Sequence, residues 1–207
     1  MTINIHQSGD VMRPILLLLI LLSFVSQASA EPWQFKQARN NPGSFLSGFL
    51  SGYAAHELGH IVVAESKGFD AEFDGVTLVY PQAEMSDAEH LQVASAGLQT
   101  QWLVSEAALR YRHEKPLPES ADSYNAGLVF SHLTITAAYL TVLKDHADGD
   151  IKGMSAATGL SNDQLAGLIA IPAILDAWRL FGDKVPGWVP AVSLGSKAVG
   201  ISAIWTY

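Results

Sequence analysis

Two histidines four residues apart, with a glutamate directly after the first, stand in the stretch "SGYAAHELGHIVVAESKGF" at residues 51–69. On a helix this spacing puts His56 and His60 on one face, where two ring nitrogens can meet a single metal ion. Glu57 is offset by about 100 degrees, so its carboxylate can reach a water on that ion without binding the ion itself. The pattern predicts a zinc site that hydrolyses amide bonds, with Glu57 as the general base.

A catalytic zinc site needs a third protein ligand, and the chain has no cysteine to supply it. The choice therefore lies among the carboxylates and the remaining histidines, of which the candidates are His90, His113, His132 and His146. We favour Asp176 in "IPAILDAWRLF", because an unpaired carboxylate in such an apolar stretch would be costly. The alternative is that Asp176 pairs with Arg179, three residues further along the same helix.

A second group of acidic residues, in "DHADGD", is a candidate for a calcium-binding loop. Its aspartates, Asp145, Asp148 and Asp150, lack the regular spacing and the closing glutamate of an EF-hand. The segment is therefore predicted to be a solvated turn between two helices.

The motif has to sit on a helix, and the residues around it predict one. Asn41 is a suitable N-cap and Pro42 suits the first helical position, after which the sequence is apolar and rich in small residues. Beyond the motif, residues 68–81 alternate with a period of about two around Asp74 and Gly75, a typical turn pair. We expect a long helix followed by a short β-hairpin.

The rest of the chain is predicted to be helical. Helix signals are the Ser86 and Glu89 capping pair before residues 90–109, the Ser161 and Gln164 pair before residues 165–181, and the apolar segments 123–143 and 185–205. Segment 123–143 has 21 residues without a charge, which is long enough to span a bilayer. Ionisable residues in the last two segments would then face a protein interior.

The start of the chain resembles a targeting segment. Arg13 precedes an apolar run, and "ASA" at 28–30 resembles a signal-peptidase site. Residues 1–30 are therefore predicted to be a signal peptide, with a retained anchor helix as the alternative, and residues 31–207 to form a single domain. The net charge of −8, with scattered basic residues, argues against a nucleic-acid partner.

Three segments carry a resemblance to a known family. "HELGHIVVAESKGF" resembles the zinc motif of the site-2 protease family of intramembrane metalloproteases, and "IPAILDAWRLF" is similar to the family's second signature. The resemblance implies that Asp176 is the third zinc ligand, although Ala177 and Trp178 replace small glycines of the family. "ASAGLQTQWL" is similar to a third segment, in which Leu98 replaces a proline and Gln101 takes the place of a substrate-contacting asparagine.

The expected fold is an all-α, multi-pass membrane helical bundle with a short β-hairpin after the zinc-motif helix. The resemblance implies a Zn²⁺-dependent endopeptidase in a lipid bilayer, the bacterial inner membrane, that cuts membrane-spanning or membrane-adjacent polypeptides. Two alternatives stay open: a non-proteolytic membrane protein that keeps the zinc helix as a structural element, and a soluble exported zincin.

Overall fold

The computed structural model describes residues 40–73, 78–80, 84–114, 117–146 and 149–207. The predicted signal peptide lies outside the described residues. In the described residues six helices and two short strands follow one another: α1 (Pro42–Ser66), β1 (Glu72–Phe73), β2 (Leu78–Val79), α2 (Asp87–Glu114), α3 (Glu119–Thr141), α4 (Asp150–Thr158), α5 (Asn162–Phe181) and α6 (Trp188–Thr206). The predicted predominance of helices is confirmed for this part of the chain.

The helix starts follow the capping signals in the sequence. Ser86 and Glu89 exchange hydrogen bonds at the start of α2: the Ser86 N–H donates to Glu89 Oε2 at 3.0 Å, and the Glu89 N–H to Ser86 Oγ at 3.3 Å. Ser161 and Gln164 form the same capping box at α5, at 2.9 and 3.2 Å. Asn41 occupies the N-cap position of α1, with Pro42 next to it, but its side chain makes no capping hydrogen bond.

The two strands lie after the helix that carries the histidines. Glu72 is opposite Val79 and Phe73 is opposite Leu78 in an antiparallel pair. The predicted turn at Asp74 and Gly75, which would join them as a hairpin, lies outside the described residues. The hairpin itself therefore stays a prediction.

Glycines allow α1 and α3 to pack with their backbones in contact. A Cβ at Gly48 would lie 2.0 Å from the carbonyl oxygen of Tyr124, and one at Gly127 would lie 2.1 Å from that of Phe45. Any larger residue at either position would push the helices apart. The close contact with α3 therefore determines where α1, and with it the two histidines, lies in the helical bundle.

Two apolar clusters hold the helices together. The larger one draws on α2 to α6 and comprises Leu91, Leu98, Trp102, Tyr139, Ile151, Met154, Ala157, Leu165, Ile169 and Ile204. The smaller one joins α2, α3 and α5 through Ala108, Leu109, Ala126, Val129 and Leu180. The short helix α4 contributes three side chains to the larger cluster, which packs α4 against α2.

One helix in the described part of the chain, α5, is long and apolar enough to cross a membrane. Its most apolar window has a mean hydropathy of 1.4, and 56% of that window is buried inside the protein. The core helix of a soluble protein can have the same properties, so a single helix of this kind is only a weak indication of a membrane protein. The multi-pass arrangement predicted from the sequence is not shown by this finding.

Candidate metal centre

The two histidines of the motif meet as their spacing predicts. His56 and His60 are 3% and 6% exposed, and their Nε2 atoms lie 3.3 Å apart. The Nδ1–H of His60 donates to the carbonyl oxygen of Val93 at 2.8 Å. This hydrogen bond holds the His60 ring in one orientation and leaves Nε2 as the nitrogen that can bind a metal.

Asp150, the first residue of α4, completes the group. Its Oδ2 lies 3.2 Å from His56 Nε2, and its Oδ1 lies 3.3 Å from His60 Nε2. One ligand atom from each of the three residues lies within 4.8 Å of the other two, so the group could hold a metal ion. Burial alone would raise the pKa of the Asp150 carboxyl, but the charges of His60 and His56 hold it well below its usual range. Its place in the first turn of a helix also favours the anion.

Asp176, predicted from the sequence as the third ligand, does not belong to the group formed by His56, His60 and Asp150. It is fully buried, and its carboxylate accepts hydrogen bonds from Lys197 Nζ at 2.6 Å and Ser193 Oγ at 2.6 Å. Arg179 Nη1 donates to it at 3.1 Å, which is the pairing that the sequence left open as the alternative. The carboxylate that the structure brings to the two histidines is that of Asp150. Cationic partners compensate Asp176 without a metal.

Asp176 belongs to a buried group of four charged residues, Glu106, Asp176, Arg179 and Lys197, which we call the ionic cluster. Arg179 Nη1 and Lys197 Nζ donate to Glu106 Oε2 at 2.6 and 3.0 Å. Two carboxylates and two cations balance each other, which offsets the cost of burying them. The cluster ties α2, α5 and α6 together.

The prediction of a solvated turn over "DHADGD" is wrong for Asp150, which begins α4 and lies against the two histidines. Asp148 lies outside the described residues. The sequence does contain a helix-start signal at Asp150, because an aspartate followed by the apolar "IKGMSAAT" is typical of a helix start. No local pattern tells that this helix start faces two histidines far away in the chain. Asp145, in the same segment, accepts a hydrogen bond from Asn162 at 2.8 Å instead.

Helix α2 passes directly beside the histidines at Gly97. A Cβ at this position would lie 2.4 Å from His60 Nε2 and 2.6 Å from His56 Nε2. The backbones of α1 and α2 also approach closely at Gly59, which lies between the two histidines on α1. A Cβ at Gly59 would lie 2.7 Å from the carbonyl oxygen of Ala96. The metal group therefore depends on a glycine that keeps the space around both Nε2 atoms open.

The group opens into a cavity of about 860 Å³. Its walls include the three residues of the group, the half-buried Glu57, strand β2, and the tyrosines Tyr53, Tyr80 and Tyr139. Glu57 and the metal group thus face the same space, and Glu57 also interacts with the side chain of Tyr53 one turn earlier. A molecule in this cavity would meet the metal group and the predicted general base together.

The remaining predicted residues divide between the cavity and the interior. His90 and His146 line the cavity, whereas His132 is fully buried 3.8 Å from Asp176. Gln101, predicted to contact substrate, is 2% exposed. It is not among the described residues that line the cavity. His113 lies in the last turn of α2.

Comparisons with family models, with curated proteins and with solved structures find no match to this chain. The residues around the cavity offer two imidazoles, one carboxylate ligand and one further carboxylate in a shared, partly open space. Such a set can bind a divalent metal and place a base beside it.

Proposed function

We propose that the protein is a zinc metalloendopeptidase in which His56, His60 and Asp150 bind zinc and Glu57 is the general base. The observation that carries the proposal is the meeting of three donor side chains. His56 Nε2 lies 3.3 Å from His60 Nε2, and the carboxylate of Asp150 places Oδ2 3.2 Å from His56 Nε2 and Oδ1 3.3 Å from His60 Nε2. Zinc binds nitrogen and oxygen at about 2.0 to 2.2 Å, and tetrahedral geometry then separates neighbouring ligand atoms by about 3.3 Å. The two imidazole nitrogens have the separation that zinc requires, and the Asp150 carboxylate lies against both of them.

The donor types also support zinc. Two imidazoles and a carboxylate are borderline ligands that suit zinc better than calcium or magnesium, which prefer oxygen alone. Three protein ligands leave one tetrahedral position free, as in catalytic rather than structural zinc sites. All three residues line the cavity, so a substrate in the cavity would have access to a metal that they held.

In the proposed reaction the chain's own residues hold the metal and move one proton. Zinc supplies Lewis-acid polarisation of the scissile carbonyl and acidifies the attacking water. Glu57 accepts a proton from that water as its oxygen bonds to the carbonyl carbon. Glu57 then returns the proton to the amide nitrogen when the C–N bond breaks, so protons balance over one cleavage.

The proposed substrate is a membrane-spanning or membrane-adjacent polypeptide, and the proposed location is a membrane crossed by several helices. Support comes from apolar side chains on the outer surface of α5, where Leu168, Ile171 and Ile174 are 56%, 46% and 64% exposed. At the end of α5, the rings of Trp178 and Trp188 meet edge to face at 5.7 Å. A run of exposed apolar side chains suits contact with lipid.

The Glu57→Gln variant tests the proposed chemistry. We expect the purified variant to keep one zinc per chain, because all three ligands remain, and to lose about 10²- to 10⁴-fold in the rate of peptide cleavage. Cleavage is measured by mass spectrometry on a mixture of unstructured peptides in detergent. Glu65→Gln is the matched control, since Glu65 is an exposed glutamate on the same helix. Full activity in Glu57→Gln would remove Glu57 from the mechanism.

Washing of membranes tests the proposed location separately. An integral protein stays in the membrane pellet through an alkaline carbonate wash, whereas a soluble exported zincin is released. Release into the supernatant would favour the soluble alternative and leave the metal chemistry untouched.

A further inference from the structure

A layer of buried polar groups lies between the metal group and the ionic cluster. Four residues form it: His56, Gln101, His132 and Thr136. Six of their side-chain atoms have no hydrogen-bond partner among the described residues: His56 Nδ1, both amide atoms of Gln101, both ring nitrogens of His132, and Thr136 Oγ1. We call this set the polar layer.

The course of α2 locates the layer. Gly97 touches the metal-binding histidines, and Ser105, two turns later, donates a hydrogen bond to Asp176 at 3.2 Å. Gln101 lies one turn from each, on the same face of the helix. It therefore stands at a level between the metal group and the ionic cluster.

The contacts of α3 place His132 and Thr136 at the same level. His132 Nε2 lies 3.8 Å from Asp176 Oδ2. The preceding residue, Ser131, lies against α1 at Gly52, one turn before His56. Further along α3, the ring of Tyr139 lies 6.3 Å from the ring of His56. Thr136 lies between His132 and Tyr139 in the sequence and is 1% exposed.

Six unsatisfied atoms in one buried layer would be costly if the layer were dry. Each buried donor or acceptor without a partner is destabilising, because it has lost its hydrogen bonds to water and gained none. Buried polar groups of this kind are ordinarily satisfied by internal water, which makes about three hydrogen bonds to otherwise unpaired groups. The layer has the donors and acceptors that such water needs, from two helices besides α1.

We propose that the polar layer binds internal water and that this water links His132 to Nδ1 of His56, which makes His132 a positioning residue for the metal site. A metal-binding histidine normally donates its other ring N–H to a fixed acceptor, which sets its tautomer and orientation. His60 has such an acceptor in the carbonyl of Val93, but His56 has none among the described residues. His132, fully buried beside Asp176, supplies it through water.

The role in metal binding rests on the proposed function, whereas the hydration of the layer does not. A crystal structure of the full-length protein, with or without zinc, tests the hydration directly. We expect an ordered water within hydrogen-bond distance of both His56 Nδ1 and a ring nitrogen of His132. A dry layer, or direct contact between the two rings, would overturn the proposal.

Zinc affinity, measured by competition with a chelator, tests the positioning role. His132→Leu should weaken zinc binding by about 10- to 100-fold, the usual effect of removing an outer partner of a metal ligand. His132→Gln, which keeps a donor and an acceptor, should recover most of that loss. Ser131→Ala is the control, because Ser131 is equally buried on α3 but lies against Gly52.

The outcomes separate the two proposals. If the wild-type protein binds no zinc, the proposed function fails, while the hydrated layer is still decided by the crystal structure. If the wild type and His132→Leu bind zinc equally tightly, the positioning role is refuted and the proposed function stands. Weaker binding in His132→Gln than in His132→Leu would also refute it, because hydrogen-bonding capacity would then not be the cause.

Discussion

Replacing Gly97 with alanine should disable the metal centre without touching a ligand. The added Cβ would lie 2.4 Å from His60 Nε2, about 1 Å closer than the 3.4 Å at which ordinary contact begins. Both histidines are buried, and His60 is tied to the carbonyl of Val93, so the rings can yield only by leaving their positions. A shift of this size exceeds the roughly 0.2 Å tolerance of metal–ligand distances about five-fold.

We therefore expect Gly97→Ala to weaken zinc binding by at least about 100-fold, or about 2.7 kcal/mol. The assay is a zinc titration against a competing chelator, with helical content followed by circular dichroism. The substitution should not destabilise α2 itself, because alanine in a helix interior is favoured over glycine by about 1 kcal/mol. A loss of affinity can then be assigned to the steric contact.

Gly167→Ala is the matched control for this experiment. Gly167 lies in the interior of α5, and a Cβ there would meet nothing within 4 Å. The control should bind zinc as the wild type does and be more stable to unfolding by up to about 1 kcal/mol. Unchanged zinc affinity in Gly97→Ala would refute the inferred geometry of the metal group.

Two further predictions concern the carboxylates and their partners. Asp150→Asn should lower the zinc content well below one per chain, because it removes the anionic ligand, whereas Asp176→Asn should keep zinc at one per chain. Elemental analysis of both variants measures the zinc content. The reverse result would restore Asp176 as the third ligand. Lys197→Met should reduce the free energy of unfolding by about 3 to 5 kcal/mol, because it leaves Glu106 and Asp176 with excess buried negative charge. Denaturant unfolding measures this loss, and a change below about 1 kcal/mol would show that the ionic cluster is not held as described.

Local patterns in the sequence predicted much of the helical framework. The capping pairs at Ser86 and Ser161 mark the starts of α2 and α5, because a cap is made by residues only three positions apart. In the same way, the spacing of His56 and His60 determines that both rings lie on one face of α1. These features depend on contacts within one or two helical turns, which the sequence displays directly.

The tertiary structure alone decided which carboxylate meets the histidines. Asp150 and Asp176 both lie on helices with apolar residues around them, and the sequence favoured the one in the more apolar stretch. Which one reaches α1 depends on how α4 and α5 pack against α2 and α3, a sum of many contacts between distant residues. The requirement for glycine at position 97 also became clear only in the tertiary structure. It arises because α2 approaches two histidines on another helix so closely that a side chain would not fit.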